Sequence, residues 1–168
     1  MKPILFTTIV LLMTAVGCQK KSVLTNQEKE SVSKEVEVVL NQIMDGWNTN
    51  NIKTAFPVFA DNQDFTMIGV DGSMINYPSL IDMSKQMFET VKHARYILLE
   101  KTLKIIDENL VIALGIYSCE TTYPDGKIEK YPKVGSTFVF QKTNGKWLVT
   151  HFHESSLAAE VTGQPMGT

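Results

Sequence analysis

The stretch NGKWLVTHFHES at residues 144–155 decides how the second half of the chain folds. Asn144-Gly145 is a strong signal for a two-residue hairpin turn, because Asn and Gly tolerate the positive φ angles that such a turn needs. The residues from Lys146 to Ser155 are then predicted to form a strand. Alternation places five of them on one face: Trp147, Val149, His151, His153 and Ser155. The residues between them take the other face, and alternation alone leaves open which face is turned inward.

The residues before this stretch show the same period of two. Strands are predicted over 96–106, 110–123 and 127–142, joined by turns at 107–109 and 125–126. Pro132 cannot donate a backbone hydrogen bond, so we expect an edge, bulge or bend there. Gly115 and Gly135 mark candidate bulges where a sheet could bend sharply. The second half is therefore predicted to be a long antiparallel meander.

The first part of the chain has a helical period instead. Thr25 is predicted to cap a long helix, with Glu28 completing a capping box. Apolar residues then recur at three- and four-residue steps and form one stripe: Val32, Val36, Val39, Leu40, Ile43, Met44 and Trp47. A short helix interrupted by Pro57 is predicted over 52–60, because proline disrupts a helix interior.

A hairpin and a third helix are predicted between these helices and the meander. Segments 65–70 and 73–76 flank Asp71-Gly72, and a helix opens at Pro78-Ser79. Helices segregated from an antiparallel sheet make an α+β domain. We expect a curved antiparallel sheet that wraps around the long N-terminal helix and encloses a pocket.

The first eighteen residues predict where the protein is located. Lys2, an apolar run over 4–13 and Ala15-Val16-Gly17 form a secretory signal. Cys18 directly after the small residues resembles the lipobox of bacterial lipoproteins, which implies cleavage before Cys18 and lipidation of its sulfur. The alternative is an ordinary secretory signal with a chance cysteine. We expect a signal peptide at 1–17, a lipidated tether at 18–25, one domain at 26–158 and a flexible tail at 159–168.

Composition excludes some partners. Removal of residues 1–17 takes away one basic side chain, so the chain keeps 15 basic and 18 acidic residues, a net charge of −3. Without a basic patch, nucleic acid is not an expected partner. Cys119 is the one thiol left once Cys18 is acylated, and a lone cysteine in an apolar segment is usually a small buried hydrophobe. We expect no cofactor.

The chain resembles the nuclear transport factor 2-like superfamily, and its polyketide-cyclase-like branch in particular. The resemblance covers about residues 30–158 and rests on the helix ending near Trp47, on FPVFAD at 56–61 and on the stretch at 144–155. It implies a cone-shaped sheet with a ligand cavity at its open end, a last strand that lines this cavity, and a homodimer. The fold hosts isomerases, cyclases, dehydratases and pure binding modules, so it does not fix the chemistry.

Two histidines are the candidate catalytic residues. Imidazoles two residues apart on one strand face lie roughly 6–7 Å from each other, which suits His151 and His153 for acid and base work. Two ligands are not a metal site, so no metal is expected. The candidate ligand-binding residues are the two histidines with three aromatic residues: Trp47, Tyr96, Tyr117, His151 and His153.

Three functions remain open from the sequence. The leading hypothesis is a membrane-anchored domain of the bacterial cell envelope, outside the cytoplasm, that binds a small, partly apolar ligand. The first alternative is an isomerase, cyclase or dehydratase that uses His151 or His153, and the second is a dimeric interaction domain without ligand. An open apolar cavity whose polar groups are all held in structural hydrogen bonds would favour binding. An open cavity with both histidines buried beside a carboxylate would favour an enzyme, and a cone filled by side chains would favour the interaction domain.

Overall fold

A computed structural model describes residues 23–63 and 65–163. Cys18, the expected signal peptide and most of the expected tether lie outside the described residues. The predicted α+β architecture is confirmed: a long helix packs against a curved antiparallel sheet that does not close into a barrel. No helix within the described residues is long and apolar enough to cross a membrane.

Helix α1 spans Asn26–Asn48 and begins at the predicted capping box. The Glu28 backbone N–H donates to Thr25 Oγ1 at 3.3 Å, and the Glu28 carboxylate accepts from the Thr25 backbone N–H at 2.7 Å. These bonds satisfy donors that the first turn of a helix leaves unpaired. The predicted apolar stripe faces the sheet, and its fully buried members are Val36 and Ile43.

Helix α2 is shorter than predicted and covers only Ile52–Ala55. The chain then tightens into a 3₁₀ turn over Phe56–Val58, because Pro57 cannot donate the hydrogen bond that would continue an α-helix. Phe56 and Phe59 are buried and their ring centroids lie 5.3 Å apart. The turn therefore places two aromatic rings under the sheet.

The contact between the first two helices depends on Gly46. A Cβ at this position would lie 2.4 Å from the backbone nitrogen of Ala55, which cannot move aside as a flexible side chain could. We expect Gly46→Ala to lower the free energy of unfolding by about 1–3 kcal/mol through overpacking, although alanine is the better helix former. Urea denaturation would measure the change, with Asn41→Ala at an exposed position of α1 as the control. A G46A variant as stable as the control would contradict this close approach.

The predicted hairpin forms β1, Thr66–Ile68, and β2, Met74–Ile75. Helix α3, Tyr77–Thr90, follows at once, and the Asn76 side chain accepts from the Ser79 backbone N–H at 3.0 Å to cap it. The meander consists of β3, β4, β5 and β6, which span His93–Asp107, Leu110–Thr122, Ile128–Thr143 and Lys146–Ser156. Each of these four strands begins and ends within three residues of its predicted bounds.

The strand order is β2-β1-β6-β5-β4-β3, and β1 pairs with β6 in parallel. Within the segment expected to be a flexible tail, Glu160–Thr162 form β7, which pairs with β5. Pro132 lies within β5, at the point where the pairing of β5 with β4 shifts register, as its missing donor predicts. Gly115 and Gly135, by contrast, pair in regular register, so the expectation of bulges at these glycines is corrected.

Candidate functional site

A cavity of about 280 Å³ opens between α3 and the inner face of the sheet. Helix α3 contributes Leu80, Met83 and Met87 to its wall, and the end of α1 contributes Trp47. The strands contribute aromatic and polar side chains, which include Tyr96, Tyr117, Cys119, Thr121, Phe152 and Glu154. The space is at the small end of the usual range for ligand pockets, which are mostly apolar with a few aimed polar groups.

The apolar wall is built around Trp47. Its ring centroid lies 5.3 Å from that of Tyr96, 6.2 Å from that of Tyr117 and 5.8 Å from that of Phe152. The α1 terminus is tied to β3, because Asn48 accepts from the Tyr96 backbone N–H at 2.7 Å and donates to the Tyr96 carbonyl at 3.1 Å. These two bonds fix the helix end that carries the indole against the sheet.

Glu154 is the polar group at the centre of this wall. The Tyr117 hydroxyl donates a short hydrogen bond to Glu154 Oε1. Burial of the carboxyl raises the pKa of Glu154 from its ordinary value of 4.5 to about 7, although the hydrogen bond from Tyr117 acts in the opposite direction. A carboxyl with this pKa exchanges its proton near neutral pH, so it can act as an acid, as a base or as an anion.

The other polar groups of the deep wall remain neutral at physiological pH. Burial, and then the nearby Glu154 charge, raise the pKa of Tyr117 above that of free tyrosine, and burial does the same for Tyr96. Burial also raises the pKa of the Cys119 thiol, whose Sγ lies 3.7 Å from Thr121 Oγ1. A protonated, buried thiol is a poor nucleophile, which agrees with a packing role for Cys119.

A second carboxylate lies on the cavity wall with partners of its own. Glu129 accepts from the Tyr123 hydroxyl at 2.9 Å and pairs with Lys127 at 2.5 Å. The Lys127 ammonium also lies 5.0 Å from the centroid of the Tyr123 ring. This group is therefore internally compensated, whereas Glu154 is not.

The structure places His151 and His153 on the face of β6 that is turned away from the cavity. Register between β5 and β6 shifts at Thr150, which is the extra residue of a bulge. A bulge moves the following side chains to the other face, so Phe152 and Glu154 point inward. His151 instead shares a hydrogen bond of 2.9 Å with the Thr66 hydroxyl.

The expectation that the two histidines line the cavity is therefore corrected, because neither belongs to its wall. The three aromatic candidates, Trp47, Tyr96 and Tyr117, do lie on the wall, and their contact with a ligand stays a prediction. The described residues contain no group of three or more His, Cys, Asp or Glu side chains placed to hold a metal ion.

Sequence reasoning missed Glu154 as a site residue. The signal that could have found it is alternation, which places Glu154 and Phe152 on the strand face opposite the two histidines. Regular alternation groups the histidines with Trp147 and Val149, and the resemblance implies that this last strand lines the cavity, so both histidines are expected on its wall. A single inserted residue at Thr150 reverses that assignment.

The hydrogen bond between Tyr117 and Glu154 gives a direct test of the site. We expect Tyr117→Phe to raise the pKa of Glu154 above about 7, because the lost O–H donor stabilises the carboxylate. A carbon-13 NMR titration of the labelled glutamate carboxyl would measure the shift. Tyr131→Phe, which removes a hydroxyl from the same cavity without this bond, should leave the pKa in place. A lowered pKa in Y117F would contradict the assignment.

Comparison with known proteins supports this fold. Residues 32–158 match the family profile of the calcium/calmodulin dependent protein kinase II association domain. A Xanthomonas campestris protein assigned to that domain aligns with 19% identity and a TM-score of 0.63, over 74% of this chain and 87% of its own. No curated protein matches the chain.

Two further solved structures are similar in fold. A nuclear transport factor 2-like superfamily protein from Salmonella enterica has 16% identity and a TM-score of 0.69, over 83% of this chain and 99% of its own. A hexachlorocyclohexane dehydrochlorinase from Novosphingobium barchaimii has 8% identity and a TM-score of 0.71, over 82% and 94%. Sequence identities this low show a similarity of fold and nothing about function. The chain belongs to the calcium/calmodulin dependent protein kinase II association domain family, and its fold is that of nuclear transport factor 2-like proteins.

Proposed function

We propose that this protein binds a small, partly apolar ligand in the cavity between α3 and the sheet. The observation that carries the proposal is an open, mostly apolar cavity of about 280 Å³ with one uncompensated carboxyl group, Glu154, on its wall. A cone filled by side chains would favour an interaction domain without ligand. Apolar walls supply most of the binding free energy of small molecules, and a few polar groups orient them.

Native mass spectrometry of the protein purified from its own host tests this proposal. We expect a retained small molecule that is released on denaturation. Cys119→Trp is the matched control, because its indole would occupy the space beside Thr121 and should reduce retention. Circular dichroism would confirm that this variant folds. Equal retention by the two proteins would place the molecule elsewhere and contradict the proposal.

An enzyme of the isomerase or dehydratase kind is the second candidate function. It is favoured by one observation, the cavity-facing carboxyl of Glu154 with a pKa of about 7. General acid and base catalysis works best with a pKa near the operating pH. Glu154 would here replace His151 and His153 as the proton-transfer group. Deuterium incorporation from solvent into apolar ketones, lost in Glu154→Gln and kept in His153→Gln, would support it; incorporation unaffected by E154Q would exclude Glu154.

We propose further that the domain is held at the bacterial cell envelope by lipid on Cys18. The support is the sequence: a short apolar run followed by small residues and cysteine. Two or three acyl chains give firm membrane attachment, whereas one is marginal. Detergent phase partition of the protein from its host is the measurement, with Cys18→Ser as the comparison. Equal partition of both into the aqueous phase would contradict the anchor.

We propose a homodimer formed through the outer face of the sheet. Ile112 and Val139 are cross-strand partners on this face, and His151 is the partner of Val139 on the next strand. The row is half-buried rather than strongly polar. Light scattering should give twice the monomer mass, and Val139→Lys should give the monomer mass.

We also propose that the chain belongs to the polyketide-cyclase-like branch, which is supported by the stretch at 144–155.

A further inference from the structure

The charges on the cavity wall are all of one sign. Glu129 and Glu154 are its two acidic residues, and no Lys, Arg or His side chain lies on the described wall. Lys127 neutralises Glu129 from outside the wall. A ligand carboxylate or phosphate would therefore meet Glu154 without a compensating cation, which is electrostatically unfavourable in a poorly solvated site.

The Glu154 carboxyl has an oxygen to offer a ligand. Oε1 accepts from the Tyr117 hydroxyl, and no other donor among the described residues reaches the group. An ionised carboxylate can accept about four hydrogen bonds. A donor with a positive charge would pair with Oε2 and compensate the desolvation of the carboxylate at the same time.

The rings around Glu154 also suit a cation. The centroids of Trp47, Tyr96 and Tyr117 lie 5.3 to 6.2 Å from one another, so their rings form one cluster on the cavity wall that includes the hydrogen-bond donor to Glu154. Aromatic faces attract ammonium groups through their quadrupole, and tryptophan does so most strongly. The methionines and phenylalanines elsewhere on the wall would accept an apolar body.

We infer that the ligand is an organic amine, with its ammonium group against Glu154 and the surrounding aromatic rings and its apolar part on the wall below α3. This inference rests on the proposed function, because it names the class of ligand that the cavity takes. The ammonium group would make an ionic contact with Glu154 that a neutral apolar ligand would not make.

Binding of an ammonium group would change the protonation state of Glu154. Glu154 titrates near neutral pH, whereas the hydroxyls of Tyr96, Tyr117 and Tyr123 and the Cys119 thiol remain protonated there. The pKa of Glu129 is already lowered by Lys127 and Tyr123. An ammonium ligand would therefore draw a proton from Glu154 alone, and binding at pH 7 would release a fraction of one proton.

Isothermal titration calorimetry with three probes of equal shape tests this inference. The probes are 3-phenylpropylamine, 3-phenylpropan-1-ol and 3-phenylpropanoate, and the protein is the chain from residue 18 with Cys18→Ser. At about pH 8, where Glu154 is ionised, we expect the amine to bind at least about tenfold more tightly than the alcohol, and the carboxylate to bind most weakly. At pH 7, the binding enthalpies measured in Tris and in phosphate should differ. The difference should equal the number of protons released multiplied by the difference between the ionisation enthalpies of the two buffers.

Two variants assign the preference to one side chain. Glu154→Gln keeps the shape and a hydrogen-bond acceptor but removes the charge, so the amine should lose its advantage over the alcohol. His153→Gln, on the outer face of the same strand, should keep the full preference. Circular dichroism would confirm that E154Q is folded.

The outcomes separate the inference from the proposed function. If the alcohol binds as tightly as the amine to the unmodified cavity, the proposed function holds and the amine inference is overturned. An amine preference that survives in E154Q likewise overturns the inference, because another group then supplies it. If none of the three probes binds, the cavity does not take ligands of this size, and the proposed function is contradicted as well.

Discussion

Replacing Trp47 with alanine is expected to lower the free energy of unfolding by about 3–5 kcal/mol. The indole is only 8% exposed, and it contacts four other rings, those of Tyr96, Tyr117, Phe138 and Phe152. The loss includes both the transfer of the side chain from the core and the void it leaves, because the surrounding sheet can collapse only in part.

Urea denaturation followed by circular dichroism would measure this change. Val38→Ala is the matched control, since Val38 lies on the same helix and is 67% exposed, so its substitution should change the stability by less than about 0.5 kcal/mol. A W47A variant within 1 kcal/mol of the unmodified protein, on that same scale, would show that the aromatic cluster is not a stabilising core.

The second large effect is a loss of stability as the pH rises, caused by Glu154. Its pKa is about 7 in the folded protein and 4.5 as the ordinary value for an exposed glutamate. Below 4.5 the carboxyl is protonated in both states, so it contributes no difference. Between 4.5 and about 7 the unfolded chain releases the proton while the folded chain keeps it. Stability therefore falls through this window, by about 3 kcal/mol at most.

Glu154→Gln isolates this effect, because glutamine does not titrate and can still accept from Tyr117. We expect the free energies of unfolding of the two proteins to lie close together near pH 4.5 and to diverge above pH 7, where the variant should be the more stable by up to about 3 kcal/mol. Denaturation series at both pH values would measure the difference. Parallel stability curves would mean that the pKa of Glu154 is not raised.

Local patterns predicted the secondary structure well. The capping box at Thr25, the stripe that ends at Trp47 and the turn at Asn144-Gly145 each depend on residues close together in the sequence. The φ angles of Asn144 and Gly145 are 51° and 77°, as a turn with two left-handed residues requires. The resemblance to a known superfamily then assembled these elements into the right fold, because the order of elements leaves few arrangements that bury the stripe.

Packing between distant segments decided the remaining features. Only the folded chain shows that β1 pairs in parallel with β6, since 85 residues separate Thr66 from His151. Helix α2 stops early where Pro57 tightens the chain into a 3₁₀ turn, and β7 forms because Glu160–Thr162 meet the edge of β5 that β6 leaves unpaired before Val134. Such pairings depend on which segments meet, not on any local periodicity.

By itself, the sequence determined the α+β fold class with a sheet curved over a long helix, because burial of apolar residues imposes a period that can be read along the chain. It also supplies the whole support for the proposed lipid anchor at Cys18. Only the tertiary structure decided which side of the last strand faces the cavity. One extra residue, Thr150, shifts the register of β6 by one position, so Glu154 and not His151 or His153 points into the cavity.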